Sequence, residues 1–350
     1  MYDELDYGDI RVCGVQNGGL KLVTIKDIAK QAGVNFGTVS RALNNEPGVS
    51  EKTRAEIRAI AERMNYVPNM AARRMVDRSS SGIGVIWPKL EGLFFYHLGQ
   101  RIQREAAARK QRVMLSFAEP EEALRSFQEH FIDKVIHWAH TEHTASYLAA
   151  KQTFPGTVLE IGDWADGQSF CLDIDRKGAI YKAVRHLFEL GHRRIAFCGA
   201  NTKKFAGYEQ GLIDFRLDFS SASVVNTKPS DPEIKQKISK SLEIIRSEHT
   251  TAVIVDSQGT LFEFIKMVQS ANIRIPDQLS LVCYDDVPEL HHLLPVPITT
   301  VGPDVGELAK KMLDSLLEPV DRQISERSVH IVESVLTVRD STQAPPLPGL

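Results

Sequence analysis

The stretch VNFGTVSRALNNEPGVSEKTR, residues 34–54, holds two helix-start signals around a short apolar run. Asn35 and Ser50 carry side-chain oxygens that can accept hydrogen bonds from the free N–H groups of a helix's first turn. Pro47-Gly48, between them, marks a loop. The stretch therefore predicts two short helices, one from Phe36 to about Leu43 and one that follows Ser50.

An earlier helix is predicted from about Ile25 to Ala32. Thr24 and Asp27 form a capping-box pattern, and Gly33 supplies the positive φ that ends the helix in a tight turn. Apolar residues recur at helical spacing in all three segments, which predicts one small core between them. The predicted core residues are Ile28, Ala29, Ala32, Val39, Ala42, Leu43, Ile57, Ile60, Ala61 and Met64.

A short helix, a glycine turn and a second helix with small polar residues at its start are typical of a helix-turn-helix, whose second helix enters the major groove of DNA. The outward face of that helix carries Phe36, Gly37, Ser40 and Arg41. A guanidinium can bond guanine O6 and N7, and an aromatic ring can contact a thymine methyl. Residues 22–78 hold ten Lys or Arg against six Asp or Glu, whereas residues 79–350 hold 30 against 35. This imbalance indicates a DNA-binding segment on a mildly acidic body.

The segment VTIKDIAKQAGVNFGTVSRALNNEPGVSEKTRAEIRAIAERMNYVPNMAARRM, residues 23–75, resembles the headpiece of the lactose-repressor and galactose-repressor family of bacterial regulators. The resemblance implies a DNA-binding repressor that acts on a pseudo-palindromic operator as a homodimer. The residues that we expect to contact DNA are Thr24, Asn35, Phe36, Gly37, Thr38, Ser40, Arg41, Asn44, Tyr66, Asn69, Ala72, Arg73 and Met75. Gly37 stands where family members often carry Gln or Thr.

Pro68 ends the third helix, and residues 70–75 can form only a helix of under two turns, which is unstable alone. By resemblance, this hinge pairs with its copy in the minor groove, where an apolar side chain wedges between base pairs. Met75 stands at that position, where the family usually places leucine.

Beyond residue 80, compact apolar runs alternate with helical segments, a pattern that predicts parallel sheets covered by helices. Helices are predicted at 178–190 and 261–271. Strands are predicted at 83–88, 112–117, 134–138, 157–161, 194–199, 252–256 and 279–284. Ligands of such folds bind at the carboxyl ends of the strands.

This body resembles the family's effector domain, which is similar to a periplasmic sugar-binding protein with two subdomains joined by three crossovers. The resemblance rests on HLFELGHRRIAFCG at 186–199, KFAGYEQGL at 204–212, IRIPDQLSLVCYDD at 273–286, ITTVGPDVGELA at 298–309 and VRDST at 338–342. It implies an effector between the subdomains, which can be a sugar, a sugar derivative or another small metabolite. Lys204 stands where an Arg usually binds the effector, and Ser257-Gln258 replaces the usual Asn-Asp. The expected effector-binding residues are Phe94, Phe95, Lys204, Ser257, Tyr284 and Asp285.

The expected domain organisation has five parts. Residues 1–21 are expected to form a disordered extension. Because Gly18-Gly19 can be encoded by a ribosome-binding GGAGG, translation can also start after it, at Leu22 or Val23. The headpiece spans 22–67, the hinge and linker 68–80, the effector and dimerisation domain 81–342, and a flexible proline-rich tail 343–350. Within the effector domain, the N-terminal subdomain is expected at 81–163 and 288–319, and the C-terminal subdomain at 164–287 and 320–342.

Several other classes of protein are disfavoured. No apolar run is long enough for a membrane span, and the scattered cysteines indicate a reduced, cytoplasmic protein, associated with the nucleoid when bound to DNA. No phosphate-binding, nucleophile-elbow or zinc-protease motif occurs, so we expect neither an enzyme nor a cofactor. His137, His140 and His143 are expected to point in different directions, which argues against a metal site. Two alternatives stay open: a receptor-like binding protein with a weakened or lost DNA-binding head, and an α/β enzyme acting on a sugar or nucleotide.

Overall fold

Three helices form the N-terminal part of the protein. The predicted bounds of the first two and the start of the third are confirmed, but the third ends at Arg63, before Pro68. In the computed structural model the helices are α1 (Ile25–Ala32), α2 (Phe36–Leu43) and α3 (Glu51–Arg63). The structure describes residues 23–66, 82–87, 92–139, 142–162, 170–200, 202–228, 230–292, 295–317 and 329–346. The chain divides into two units, Met1–Ser79 and Ser80–Leu350. We call residues 23–66 the head and the described residues from 82 onward the body.

Local side-chain chemistry sets where the head's helices begin and end. Asn35 Oδ1 accepts a hydrogen bond from the Thr38 N–H at 2.8 Å, and Ser50 Oγ accepts one from the Thr53 N–H at 3.2 Å. At α1, the Asp27 carboxylate accepts hydrogen bonds from the N–H and the hydroxyl of Thr24. Gly33 ends α1 with φ 65°. These caps satisfy backbone groups that the helices themselves leave unpaired.

The head's core contains all ten apolar residues that the periodicity predicted. Six of them are buried, and the other four pack against that buried group. The buried ones are Ile28, Val39, Ala42, Ile57, Ile60 and Ala61. So few apolar side chains bury little surface, and a domain of this size gains only marginal stability from its core.

Arg54 supplies a further tie in the head, because its guanidinium lies under the loop that joins α2 to α3. The side chain is buried, with 8% of the residue exposed. Its N–H groups donate to the carbonyls of Arg41, Ala42, Glu46 and Val49 at 3.0–3.4 Å. Arg54 is therefore a structural clamp in the head and presents no free cation to a DNA backbone.

Twelve strands of the body form two six-stranded sheets. In chain order they are β1 (Gly82–Ile86), β2 (Arg112–Ser116), β3 (Lys134–Trp138), β4 (Thr157–Ile161), β5 (Cys171–Ile174), β6 (Ile195–Gly199), β7 (Val224–Asn226), β8 (Ala252–Val255), β9 (Ser280–Tyr284), β10 (Thr299–Pro303), β11 (Val329–Val332) and β12 (Ser334–Thr337). The first sheet has the order β11-β5-β4-β3-β1-β2 and is wholly parallel. The second has the order β12-β10-β9-β8-β6-β7, in which only β12 is antiparallel to its neighbour.

Helices connect the strands of the body, as the alternation predicted. They are α4 (Leu93–Ala108), α5 (Pro120–Glu129), α6 (Ala145–Thr153), α7 (Arg176–Glu189), α8 (Lys203–Asp214), α9 (Ile234–Ser247), α10 (Gln258–Ser270) and α11 (Val305–Leu317), with 3-10 turns at Ser221–Ser223 and Pro288–His292. None of the helices in the described ranges is long and apolar enough to cross a membrane.

The predicted subdomain boundaries need correction. β5 and β11 belong to the first sheet, although we expected both in the C-terminal subdomain, and β10 belongs to the second sheet, although we expected it in the N-terminal subdomain. The chain therefore passes between the sheets after β5, after β10 and after β11, while α11 returns to pack against α4. Three crossovers were expected, but their positions depend on pairing between strands that are distant in sequence.

Replacing Arg54 by Met is expected to destabilise the head by about 2 kcal/mol, because the loop carbonyls lose charged hydrogen-bond donors in a buried place. Hydrogen exchange of the Val39 and Ile57 amides measures the effect. Lys52→Met, at an exposed position in the first turn of α3, is the control. Equal protection in the two variants would show that Arg54 is not a clamp.

Candidate functional site

The exposed face of α2 carries the side chains that the sequence assigned to base contact. Phe36 is 55% exposed although it is a large apolar residue, and Arg41 is also exposed. The Arg41 Nε–H donates to the carbonyl of Gly37 at 3.2 Å, which holds the guanidinium along the helix surface. Phe36 and Arg41 are five residues apart on α2, which is about 1.4 helical turns.

The polar residues around this face also have local roles. The Thr38 hydroxyl donates to Asn35 Oδ1 at 2.9 Å, and the Asn44 amide donates to the Ser40 hydroxyl at 3.5 Å. Thr24 is exposed at the start of α1, whereas Tyr66 is half-buried and packs against the head's core. The hinge residues Asn69, Ala72, Arg73 and Met75 lie outside the described residues.

Gly37 leaves open space on the α2 face. A Cβ built there meets Asn35 Oδ1 at 3.6 Å and Arg41 Nη2 at 3.9 Å, both ordinary contacts. The backbone of Gly37 is helical, so glycine is not required for its conformation. Gly33 differs, because its φ of 65° is disfavoured for any residue with a Cβ.

The body contains a cleft of about 240 Å³ lined by residues from both sheets. All six residues predicted to bind an effector line it: Phe94, Phe95, Lys204, Ser257, Tyr284 and Asp285. The sequence did not single out several others, namely Gly92, Trp138, Ile174, Arg176, Gly259 and Pro303, and it noted Gln258 only as a departure from the family pattern. Most of them follow the carboxyl end of a strand, which is the signal that would have found them.

An aromatic wall forms one side of this cleft. Phe94 and Phe95 begin α4, and Trp138 ends β3. The three rings make edge contacts with one another, with centroid separations of 5.0–5.9 Å. Flat apolar surfaces of this kind suit the face of a ring-shaped ligand.

Charged groups form the opposite wall. The Lys204 ammonium donates to the Asp256 carbonyl at 2.7 Å and lies 3.7 Å from the centre of the Tyr284 ring. Arg176 is buried, with its Nη1 3.6 Å from Asp173 Oδ1. Burial raises the pKa of Asp285 to about 6, although Lys204 and Arg176 act in the opposite direction. Of these charged groups, Lys204, Arg176 and Asp285 line the cleft.

Gln258 joins the two walls. Its Oε1 accepts a hydrogen bond from the Leu93 N–H at 3.1 Å, which links the start of α10 to the start of α4. Its Nε2 is buried and, within the part of the chain that the structure describes, has no hydrogen-bond partner. Ser257 caps α10 instead, where its hydroxyl contacts the N–H and the hydroxyl of Thr260. The Gln258 amide is therefore the donor that a ligand in the cleft can satisfy.

The expectation about the histidines was wrong for two of them. His137 and His143 have ring centroids 6.1 Å apart and converge on Glu160, because the segment before α6 turns back over the sheet. His140 lies outside the described residues.

An exposed helix-turn-helix face and a two-sheet body with a ligand cleft define a DNA-binding regulator controlled by a small molecule. Comparison with known proteins agrees with this class: residues 24–69 match the bacterial regulatory proteins of the lacI family, and residues 184–342 match the periplasmic binding protein-like domain. The chain therefore joins a lacI-family DNA-binding domain to a periplasmic binding protein-like domain.

Its relatives share this organisation over most of their length. Catabolite control protein A of Priestia megaterium is 26% identical over 86% of this chain and 95% of its own. The transcriptional regulator GalR of Escherichia coli (strain K12) is 24% identical over 84% of this chain and 90% of its own. The lac repressor dimer bound to operator and the anti-inducer ONPF superposes with a TM-score of 0.75 at 22% identity, covering 93% of this chain and all of that one.

Gly37→Ala is expected to stabilise the head by about 0.5–1 kcal/mol, because alanine loses less backbone entropy in a helix and its Cβ has room here. Gly33→Ala is the matched comparison and should destabilise by about 1 kcal/mol, since its backbone is left-handed. Amide hydrogen exchange within α1 and α2 measures both changes. A loss of protection in Gly37→Ala would contradict the assignment of open space there.

Proposed function

We propose that this protein is a transcriptional repressor that binds a pseudo-palindromic operator as a homodimer and responds to a small molecule in the body's cleft. The observation that carries the proposal is the exposed surface of α2, on which Phe36 and Arg41 stand five residues apart in a fully formed helix-turn-helix. The head keeps its core and its caps, which favours DNA binding over a receptor-like protein with a lost head. We further propose that the chain is not an enzyme and that it acts in the cytoplasm at the nucleoid.

In this proposal, α2 enters the major groove. The Arg41 guanidinium bonds a guanine edge, and Phe36 contacts a thymine methyl. Asn35, Thr38, Ser40 and Asn44 surround these two and, with Thr24 at the start of α1, lie where hydroxyl and amide groups reach phosphates. Tyr66 and the hinge residues Asn69, Ala72, Arg73 and Met75 would extend the contact to the minor groove.

The chemistry of the cleft favours a small, polyhydroxylated ring as effector, such as a sugar or sugar derivative. The aromatic wall of Phe94, Phe95 and Trp138 can pack on a ring face. Asp285 can accept hydrogen bonds from hydroxyls, while Gln258, Lys204 and Arg176 can donate to them.

Control of DNA binding requires that the effector favour one arrangement of the two sheets over another. Such a ligand shifts an equilibrium only by its difference in affinity for the two states. A difference of a few kcal/mol is enough to change operator occupancy by one or more orders of magnitude.

The first test selects an operator from random duplexes and measures binding by fluorescence anisotropy. The logarithm of the binding constant should fall with the logarithm of salt concentration by about 0.9 per phosphate contacted. Arg41→Ala should lose about 1–3 kcal/mol of discrimination at one base pair. Arg73→Ala should weaken binding to all sequences alike.

Arg185→Ala, on the exposed surface of the body, is the control for this experiment and should bind like the unchanged protein. Full base discrimination in Arg41→Ala would show that α2 does not read the sequence. The absence of any enriched half-site would favour the receptor-like alternative.

The second test concerns pH. Effector hydroxyls bind the ionised form of Asp285, whose pKa is raised to about 6, so effector affinity should be full above that pH and fall as pH drops through it. Effector affinity is expected to fall about tenfold between pH 7 and pH 5, because the ionised fraction of a group with this pKa falls by that factor. Calorimetry with an effector found by thermal-shift screening of sugars measures it. Asp285→Asn should bind more weakly at pH 7 and show no such dependence; an unchanged slope in that variant would exclude Asp285 as the source.

A further inference from the structure

Three side chains that commonly bind metals meet on the side of the first sheet opposite the aromatic wall. His137 lies on β3 next to Trp138 but on the other face, with Val135 and the core under α5 and α6. Glu160 is its partner in register on β4, and His143 lies in the segment before α6. One ligand atom from each of these three residues lies within 4.8 Å of the other two.

Two polar atoms of this cluster are buried without hydrogen bonds. Within the described part of the chain, Glu160 Oε2 and His143 Nε2 have no hydrogen-bond partner, and Glu160 is completely buried. An unpaired buried polar atom costs about 1–3 kcal/mol, and more when the group is charged. Both atoms belong to groups that bind transition metals, so a cation between them would satisfy the two at once.

We propose that His137, His143 and Glu160 form a binding site for a divalent transition metal, with Zn²⁺ as the best match. Two imidazoles and one carboxylate are an established ligand set for zinc, with bonds of about 2.0–2.2 Å. The ligand atoms must approach one another by about 1 Å to reach tetrahedral geometry. His143 can make this movement because it stands outside any helix or strand.

Lys151 is the group that a bound cation would replace. Its ammonium lies 2.9 Å from Glu160 Oε1, and its side chain is 19% exposed, so it can turn toward solvent when the metal neutralises the carboxylate. The metal would tie the segment before α6 to β3 and β4, since each ligand comes from a different element. This site is separate from the effector cleft and does not depend on the proposed function.

The experiment uses the full chain without a histidine tag, dialysed against a chelator and titrated with Zn²⁺ in a calorimeter. We expect one Zn²⁺ per chain, and a visible absorption band typical of tetrahedral coordination when Co²⁺ is used instead. His143→Ala and Glu160→Gln should each weaken Zn²⁺ binding at least 100-fold. His130→Ala, which removes an exposed histidine at the end of α5, should leave it unchanged.

Thermal unfolding adds a second readout. Zn²⁺ should raise the melting temperature of the unchanged protein and of His130→Ala but not that of His143→Ala. If Glu160→Gln does not fold, His143→Ala decides the matter, because its side chain lies in a loop. The proposal fails if the unchanged protein binds no Zn²⁺, or if His143→Ala binds it as tightly as His130→Ala.

Discussion

Parallel pairing of the strands is the constraint on which the body depends. In a parallel sheet every strand ends at the same edge, so residues that follow different strands are brought together without being neighbours in sequence. Trp138 ends β3, Tyr284 and Asp285 come at the end of β9, and Ser257 follows β8. Lys204 lies at the start of the helix after β6. The cleft is a consequence of strand direction, and the particular side chains decide only what it binds.

The head depends on a different balance. Three short helices cannot bury enough apolar surface to be stable through their core alone, so polar contacts contribute part of the head's folding stability. The Arg54 guanidinium donates hydrogen bonds to carbonyls after α2 and is therefore not available to contact DNA. Arg41, thirteen residues earlier, remains exposed. Of two arginines in one short segment, one is thus buried under a loop and the other stays on the surface, where the proposed function needs it.

The sequence was sufficient to predict what is decided locally. In the head, α2 and α3 begin directly after their caps Asn35 and Ser50, because capping acts within one turn. The strands β3 and β4 are apolar runs of ordinary length, and their bounds were predicted to the residue. The body's strands β5, β7 and β10–β12 were missed. They are short or, like β10 (TTVGP), mix Thr, Gly and Pro with few apolar residues, and their place in a sheet depends on distant partners. The same reason explains the misplaced crossovers.

For the effector cleft, the family resemblance placed six residues on the wall, but it did not find Trp138 or Arg176. Both positions depend on the order of the strands in the sheets, and strand order cannot be predicted from one segment of sequence. The meeting of His137 with His143 was missed for a related reason, since a strand's alternation says nothing about a loop that returns over it.

Residues at the crossovers between the two sheets line the cleft, so a ligand bound there can affect the arrangement of the sheets. Ile174 ends β5 and Arg176 begins α7, at the first passage between the sheets, and Pro303 ends β10 at the second. Gln258 also reaches from α10 to the backbone of Leu93 on α4, so one side chain already spans the two sides. A molecule bound in the cleft therefore contacts both sheets and the chain segments that join them. Any change in the angle between the sheets therefore alters the contacts that the ligand makes. The ligand then binds the two arrangements of the sheets with different affinities, and control by an effector requires this difference.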